Sequence, residues 1–139
     1  MKVVINKCFG GGFGLSEAAI QAYARKKGLT LYPEKDRFNL TTYFTVPKSD
    51  RVVELPGGWN SHSFEQRAAY NKAYREQVLY DRDIPRDDKD LVSVVEELGD
   101  KCNTQYSKLS VVNVPDGVAW EISDCGGLEH VAEKHRTWE

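Results

Sequence analysis

Lys2-Val3-Val4-Ile5-Asn6-Lys7, then Cys8-Phe9-Gly10-Gly11-Gly12-Phe13-Gly14-Leu15, then Ser16 to Gly28: this opening stretch decides the reading of the fold. It reads as a short apolar strand, a glycine-rich loop and a helix. Ser16 is a good N-cap, because its hydroxyl can accept from the unbonded N–H groups of the first turn. Leu15, Ala19, Ala22 and Tyr23 share one face, flanked by Ile20. Arg25, Lys26 and Lys27 suit the negative end of the helix dipole, and Gly28 can close the helix in the left-handed region. A strand–glycine loop–helix unit can bind an anion through outward-pointing amides at the helix start. It can equally be a tight turn with Phe9 and Phe13 folded into the core.

Outward from this unit, helices and strands interleave. Phe38–Val46 and Arg51–Leu55 are rich in β-branched and aromatic residues, and Pro47-Lys48-Ser49-Asp50 between them predicts a hairpin. Phe64–Gln77 carries a stripe of Ala69, Tyr70, Ala73 and Tyr74, so a helix is expected with Ser61 or Ser63 as its cap. Val78–Ile84 reads as a strand stopped by Pro85. Leu91, Val94, Val95, Leu98 and Cys102 repeat at helical spacing behind Asp87 and Asp90, which resemble a capping box. Pro115-Asp116-Gly117 has turn chemistry and predicts an antiparallel hairpin of Leu109–Val114 with Val118–Ser123. Leu128, Val131, Ala132 and His135 fit a terminal helix, with a terminal strand as the alternative. The expected class is α/β or α+β: a single domain over residues 1–139, about three main helices, a mixed sheet and a terminal antiparallel hairpin, with 33–63 as an insertion or excursion.

The 139 residues suffice for one domain with a real core, and 40% hydrophobic with 29% charged residues is ordinary globular composition. A net charge of -2 argues against a general nucleic-acid binder. The apolar N-terminal run is too short for a signal peptide, and no stretch reaches bilayer-spanning length. Three scattered cysteines, Cys8, Cys102 and Cys125, point to reduced thiols in a cytoplasm rather than a disulfide framework.

Gly10, Gly12 and Gly14 miss the dinucleotide fingerprint, because Leu15 stands where its third glycine belongs, and the P-loop ending is absent. What remains is loop glycines that allow close backbone approach to a phosphate or carboxylate. Arg82 and Arg86, in the charge run Asp81–Asp88, can supply planar donors if this run lies beyond a strand end near the loop; the alternative is a solvated loop of local Arg–Asp pairs. The expected ligand-binding set is Asn6, Lys7, Phe9, Gly10, Gly11, Gly12, Arg82 and Arg86. Cys8, beside Lys7 and near a helix start, is a candidate nucleophile without a visible base, or else a structural thiol. Cys125, His130 and His135 are spaced five apart, which fits no common zinc site, so neither metal nor cofactor is expected. Glu96-Glu97, Glu121 with Asp124, and Glu129 with Glu133 fit solvated faces. Trp120 is expected in the core, and Trp138 against the body or in an oligomer contact.

Residues Lys2–Gly11 with Phe13–Ser16, then Asp83–Asp88 with Leu91-Val92 and Val94–Gly99, then Leu109–Ile122, resemble three blocks of a group of small uncharacterised bacteriophage and bacterial proteins. The resemblance leaves out Pro33–Ser63, and this chain carries one more glycine in Gly10–Gly12. It implies no catalytic residue. By analogy with small phage proteins that sequester nucleotide signals of host defence, it implies a non-catalytic, homo-oligomeric binder of a phosphate-bearing, nucleotide-like ligand in the host cytoplasm. The alternatives are a small enzyme, acting through Cys8 or through carboxylates such as Asp83 or Glu121, and an inhibitor that binds a host protein through exposed aromatics such as Trp59 and Trp138.

Overall fold

The structure, a computed structural model, describes residues 1–53 and 55–134. The class is α+β. Contacts divide the chain into two compact units: Met1–Gly28 with the chain from Asp81 onward, and Leu29–Tyr80.

The first unit is built on β1 (Lys2–Asn6). Helix α1 (Glu17–Lys27) follows the glycine loop, capped by Ser16 and closed by Gly28 at φ 71°, as its sequence predicts. The later helix α3 (Lys89–Leu98) runs into a 3-10 turn over Gly99–Cys102. Its cap is Asp88, which accepts from the amides of Asp90 and Leu91, rather than Asp87. Helices α1 and α3 pack on each other, and α3 packs on β1 and on β4 (Leu109–Asn113). Val4, Ala19, Leu91, Val94 and Cys102 are wholly buried there. Burial pushes the Cys102 thiol pKa up, and its Sγ donates to the Val94 carbonyl.

The strand pairing differs from the expected mixed sheet. Among the described residues there are three two-stranded sheets, all antiparallel. β4 does not pair across Pro115-Asp116-Gly117; it pairs with β1, from Lys2↔Asn113 to Asn6↔Leu109. β5 (Trp120–Cys125) pairs with β6 (Leu128–Glu133) instead. The reason lies in the turn. Gly126 and Gly127 have φ of 61° and 93°, the two positive values that a tight two-residue hairpin demands. The Pro115 turn merely redirects the chain. Val3, Ile5 and Val114 form a second cluster with Val112, Val118, Trp120, Ile122 and Val131, so Trp120 is half-buried on the core. The terminal element is thus the strand alternative. His135 and Trp138 lie outside the described residues.

In the second unit, β2 (Tyr32–Lys35) pairs with β3 (Thr41–Phe44). Among the described residues, Phe38–Val46 and Arg51–Leu55 do not form the expected hairpin; Asp36 builds the turn earlier. Its Oδ1 accepts from the amides of Phe38 and Leu40, and Asn39 takes φ 63°. Helix α2 (Phe64–Glu76) starts on a full capping box of Ser63 and Gln66. The expected strand Val78–Ile84 reduces to one bridge, Phe44↔Val78, followed by a 3-10 turn over Asp81–Asp83. Trp59, Tyr70, Tyr74 and Phe44 form a run of ring contacts with centroids 5.9–6.2 Å apart, and Arg51 lies 3.7 Å over Phe44. Val78 is the unit's one buried residue among those described.

Candidate functional site

The glycine loop is fixed from both sides. Gly10 N donates to Gly126 O (2.6 Å), Gly11 N to Cys8 O (3.2 Å) and Gly12 N to Tyr106 O (3.1 Å). Gly11 has no room for a side chain: a Cβ there would run into the Tyr106 carbonyl. A Cβ on Gly127 would strike the backbone of Gly11. The loop and the β5–β6 turn therefore interlock through two glycines. At its other end, Leu15 N donates to Asp81 Oδ2 (2.9 Å), and Ser107 Oγ donates to Gly14 O (2.9 Å). The amides of Gly10, Gly11 and Gly12 are thus engaged within the chain.

Asn6, wholly buried at the end of β1, is the hub behind the loop. Its Nδ2 donates to Gly127 O (2.7 Å) and Cys8 O (3.3 Å), and its Oδ1 accepts from the amides of Cys8 (3.1 Å) and Lys108 (2.9 Å). Its own amide donates to Glu129 Oε1 at 2.7 Å. All the hydrogen-bonding capacity of the side chain is used, which is how a buried amide avoids a desolvation penalty.

The two arginines of the charge run separate. Arg86 forms a two-pronged pair with Glu129 (Nη1–Oε1 2.7 Å, Nη2–Oε2 3.0 Å), touches Val4 O, and lies 3.8 Å over the Phe13 ring. Burial on its own would raise the Glu129 pKa. The hydrogen bonds from Arg86 and the Asn6 amide, with the Arg86 charge, hold it below the usual carboxylate range instead. Arg82 is exposed and makes no hydrogen bond or ion pair with any described residue; it follows Asp81, which anchors the Leu15 end of the loop.

The loop phenylalanines separate in the same way. Phe13 is 6% exposed beneath Arg86, whereas Phe9 is 74% exposed, its ring against Gly126. Lys7 is exposed and Cys8 half-buried. The sequence reading missed Glu129, taken as a solvated partner of Glu133, and it missed Tyr106, Lys108 and Asp81. Glu129 has no local signal, because its partner is 43 residues away. The Lys108 signal exists only once β1 and β4 are paired.

No group of His, Cys, Asp and Glu among the described residues is arranged to hold a metal ion. No helix among them is long and apolar enough to cross a membrane. A cleft of about 260 Å³ at the other end of β4 is lined mainly by apolar residues, among them Val112, Val114, Val118, Trp120 and Val131, with Asn113 and Glu133 as its polar members and no cationic side chain. Comparisons of the chain with protein-family models, with curated proteins and with solved structures found no match.

Proposed function

We propose that the glycine-loop face of the first unit binds a small anionic, nucleotide-like ligand without turning it over. On this reading the protein is a homo-oligomeric sequestering protein of the host-cell cytoplasm, and the ligand is a nucleotide signal of host defence. The observation that carries the reading is Phe9, a large apolar ring left 74% exposed beside a loop whose Gly10, Gly11 and Gly12 amides are bonded within the chain. A rigid exposed ring is a stacking platform for a base, an interaction worth about 1–3 kcal/mol. Lys7, two residues before it in the chain, and the exposed Arg82 carry the positive charge of the proposed site. Asn6, Arg86 and the three glycines hold the platform from behind.

Native mass spectrometry of protein purified without ligand removal tests this, followed by a nucleotide panel including cyclic dinucleotides and ADP-ribose derivatives. A nucleotide mass that is retained and released unchanged supports the binder. A converted mass supports an enzyme in its place, and turnover that survives Cys8→Ala then excludes the thiol version. No adduct at all overturns the ligand reading. In the binder, Phe9→Ala weakens binding by about tenfold, the equivalent of about 1.4 kcal/mol of lost stacking.

One observation favours a second reading, a protein-binding module. In the second unit no residue of α2 is buried, and Phe38, Leu40, Val53 and Phe64 are all exposed. Where such exposed apolar side chains form one contiguous patch, they mark an interaction surface. A defined host protein captured by the parent and lost in Phe64→Asp and Val53→Asp, with nucleotide retention unchanged, supports it. Capture that is indifferent to both substitutions refutes it.

A further inference from the structure

We propose that Lys7 and Lys108 form a paired cation seat for the ligand's phosphate, and that Phe9 and Tyr106 together flank its base. The site then selects a nucleotide with a terminal phosphate over the bare nucleoside. This rests on the ligand reading above and adds the residues and chemistry that it lacks.

The argument starts from register. The β1–β4 ladder ends at Asn6↔Leu109, and one step further Lys7 N donates to Lys108 O at 2.7 Å. The two lysines therefore stand opposite each other where the pairing continues. Like charges directly across an antiparallel pair are destabilising. The backbone cannot splay to relieve them, since Asn6 Oδ1 holds the Lys108 amide and Lys7 N holds the Lys108 carbonyl. Neither lysine forms an ion pair with any described residue, and both are exposed. Three carboxylates of this unit are bonded elsewhere: Glu129 to Arg86 and the Asn6 amide, Asp124 to the Gly127 amide, Asp81 to the Leu15 amide. Lys2, Lys26 and Lys27 of the same unit each have a carboxylate at 2.9–3.0 Å, whereas Lys89, Lys101 and Lys134 share the unpaired state among the described residues; what sets Lys7 and Lys108 apart is that they face each other across the strand pair.

The same register places aromatic residues symmetrically. Phe9 is two residues beyond Lys7, and Tyr106 is two residues before Lys108. Both are largely exposed, at 74% and 65%, and the Tyr106 carbonyl is joined to the loop by the Gly12 amide. A pair of ammonium groups matches the charge of a terminal phosphate, about -1.5 to -2 at neutral pH. Lysine serves phosphates as a point charge, without the need for a planar fork. Two cations beside two exposed rings are thus complementary to the two halves of a nucleotide.

The test is isothermal titration of the parent with AMP, GMP, CMP and UMP, each against its nucleoside, at two salt concentrations, repeated with Lys7→Gln and Lys108→Gln. The expected result is a loss of at least tenfold in monophosphate affinity in each variant. Nucleoside affinity stays within twofold, and the salt dependence of monophosphate binding becomes shallower. Thermal melts give a second readout: each glutamine variant melts at or above the parent temperature, because the repulsion is relieved. Monophosphate affinity within twofold of the parent in both variants overturns the lysine seat, and it leaves the ligand reading standing if Phe9→Ala still weakens binding. Equal affinity of the parent for monophosphate and nucleoside also overturns the seat. A parent that binds nothing in this panel or in the broader nucleotide panel overturns both proposals together.

Discussion

Removing the Glu129 carboxylate should cost the first unit about 3 kcal/mol. In Glu129→Ala, Arg86 loses two charged hydrogen bonds and the Asn6 amide loses its acceptor in a wholly buried position. Breaking one side of a buried ion pair costs about 3–5 kcal/mol. An orphaned buried amide is itself worth about 1–3 kcal/mol of that. The low end applies here, because the Arg86 side chain is 19% exposed and can rehydrate, and it keeps its seat over Phe13. Glu129→Gln retains an oxygen for the Asn6 amide and should cost about half as much. Acid separates the charge from the shape. The folded-state pKa of Glu129 lies below its ordinary value of 4.5, since Arg86 and the Asn6 amide outweigh the opposing effect of burial. Its contribution is therefore complete above about pH 4.5 and is lost as pH falls through the folded value. Parent stability should drop more steeply than that of Glu129→Gln below pH 4.5. Urea denaturation at pH 7 and pH 3, with hydrogen exchange at the Asn6 amide as the local readout, measures both effects. A Glu129→Ala variant within 1 kcal/mol of the parent, with Asn6 protection unchanged, refutes the reasoning.

Gly11→Ala should cost at least about 2 kcal/mol in denaturant melts, since its Cβ meets backbone rather than a yielding side chain. Asp88→Ala should cost about 1–2 kcal/mol by removing the α3 cap, together with the Lys27 ion pair and the Tyr23 hydroxyl contact; Asp88→Asn should recover most of the cap's share. Leu91→Ala should cost about 3 kcal/mol, because Leu91 is wholly buried where α3 meets β1 and β4.

The helices were legible because their signals are local. Ser16, Gly28 and the apolar spacing behind Asp88 act within a few residues, and α1 and α3 form where they point. Strand partners were less legible, because pairing is decided across the chain. Pro115-Asp116-Gly117 looked like a hairpin turn and makes a turn, but β4 found a better partner in β1, over a hundred residues away. The two adjacent glycines that do make a hairpin, Gly126 and Gly127, owe that role to positive φ values, which only the pairing of the strands on either side brings out. The β2–β3 turn was set by Asp36, a residue whose side-chain bonds to Phe38 and Leu40 compete with the more conspicuous Pro47 turn.

The candidate site shows the same limit in its charges. Arg82 and Arg86 stand four residues apart in one acidic run, and nothing in the run distinguishes them. What distinguishes them is Glu129, delivered from β6 by the Gly126–Gly127 turn, which takes Arg86 out of solvent and leaves Arg82 in it. The same turn receives the Gly10 amide and supports the Phe9 ring. The same hairpin thus stands behind both pairs of residues that the sequence could not sort: Arg86 and Phe13 turn inward, and Arg82 and Phe9 stay exposed. Loosening that hairpin should therefore disturb the fold and the glycine loop together. Gly127→Ala, strained in backbone and colliding with Gly11, is the substitution that does so. It should lower stability by at least about 2 kcal/mol and also release the Gly10 and Gly12 amides to hydrogen exchange. Loss of stability with both amides still protected would mean that the loop holds its shape without the hairpin, and that the framework lies in Asn6 and Ser107 alone.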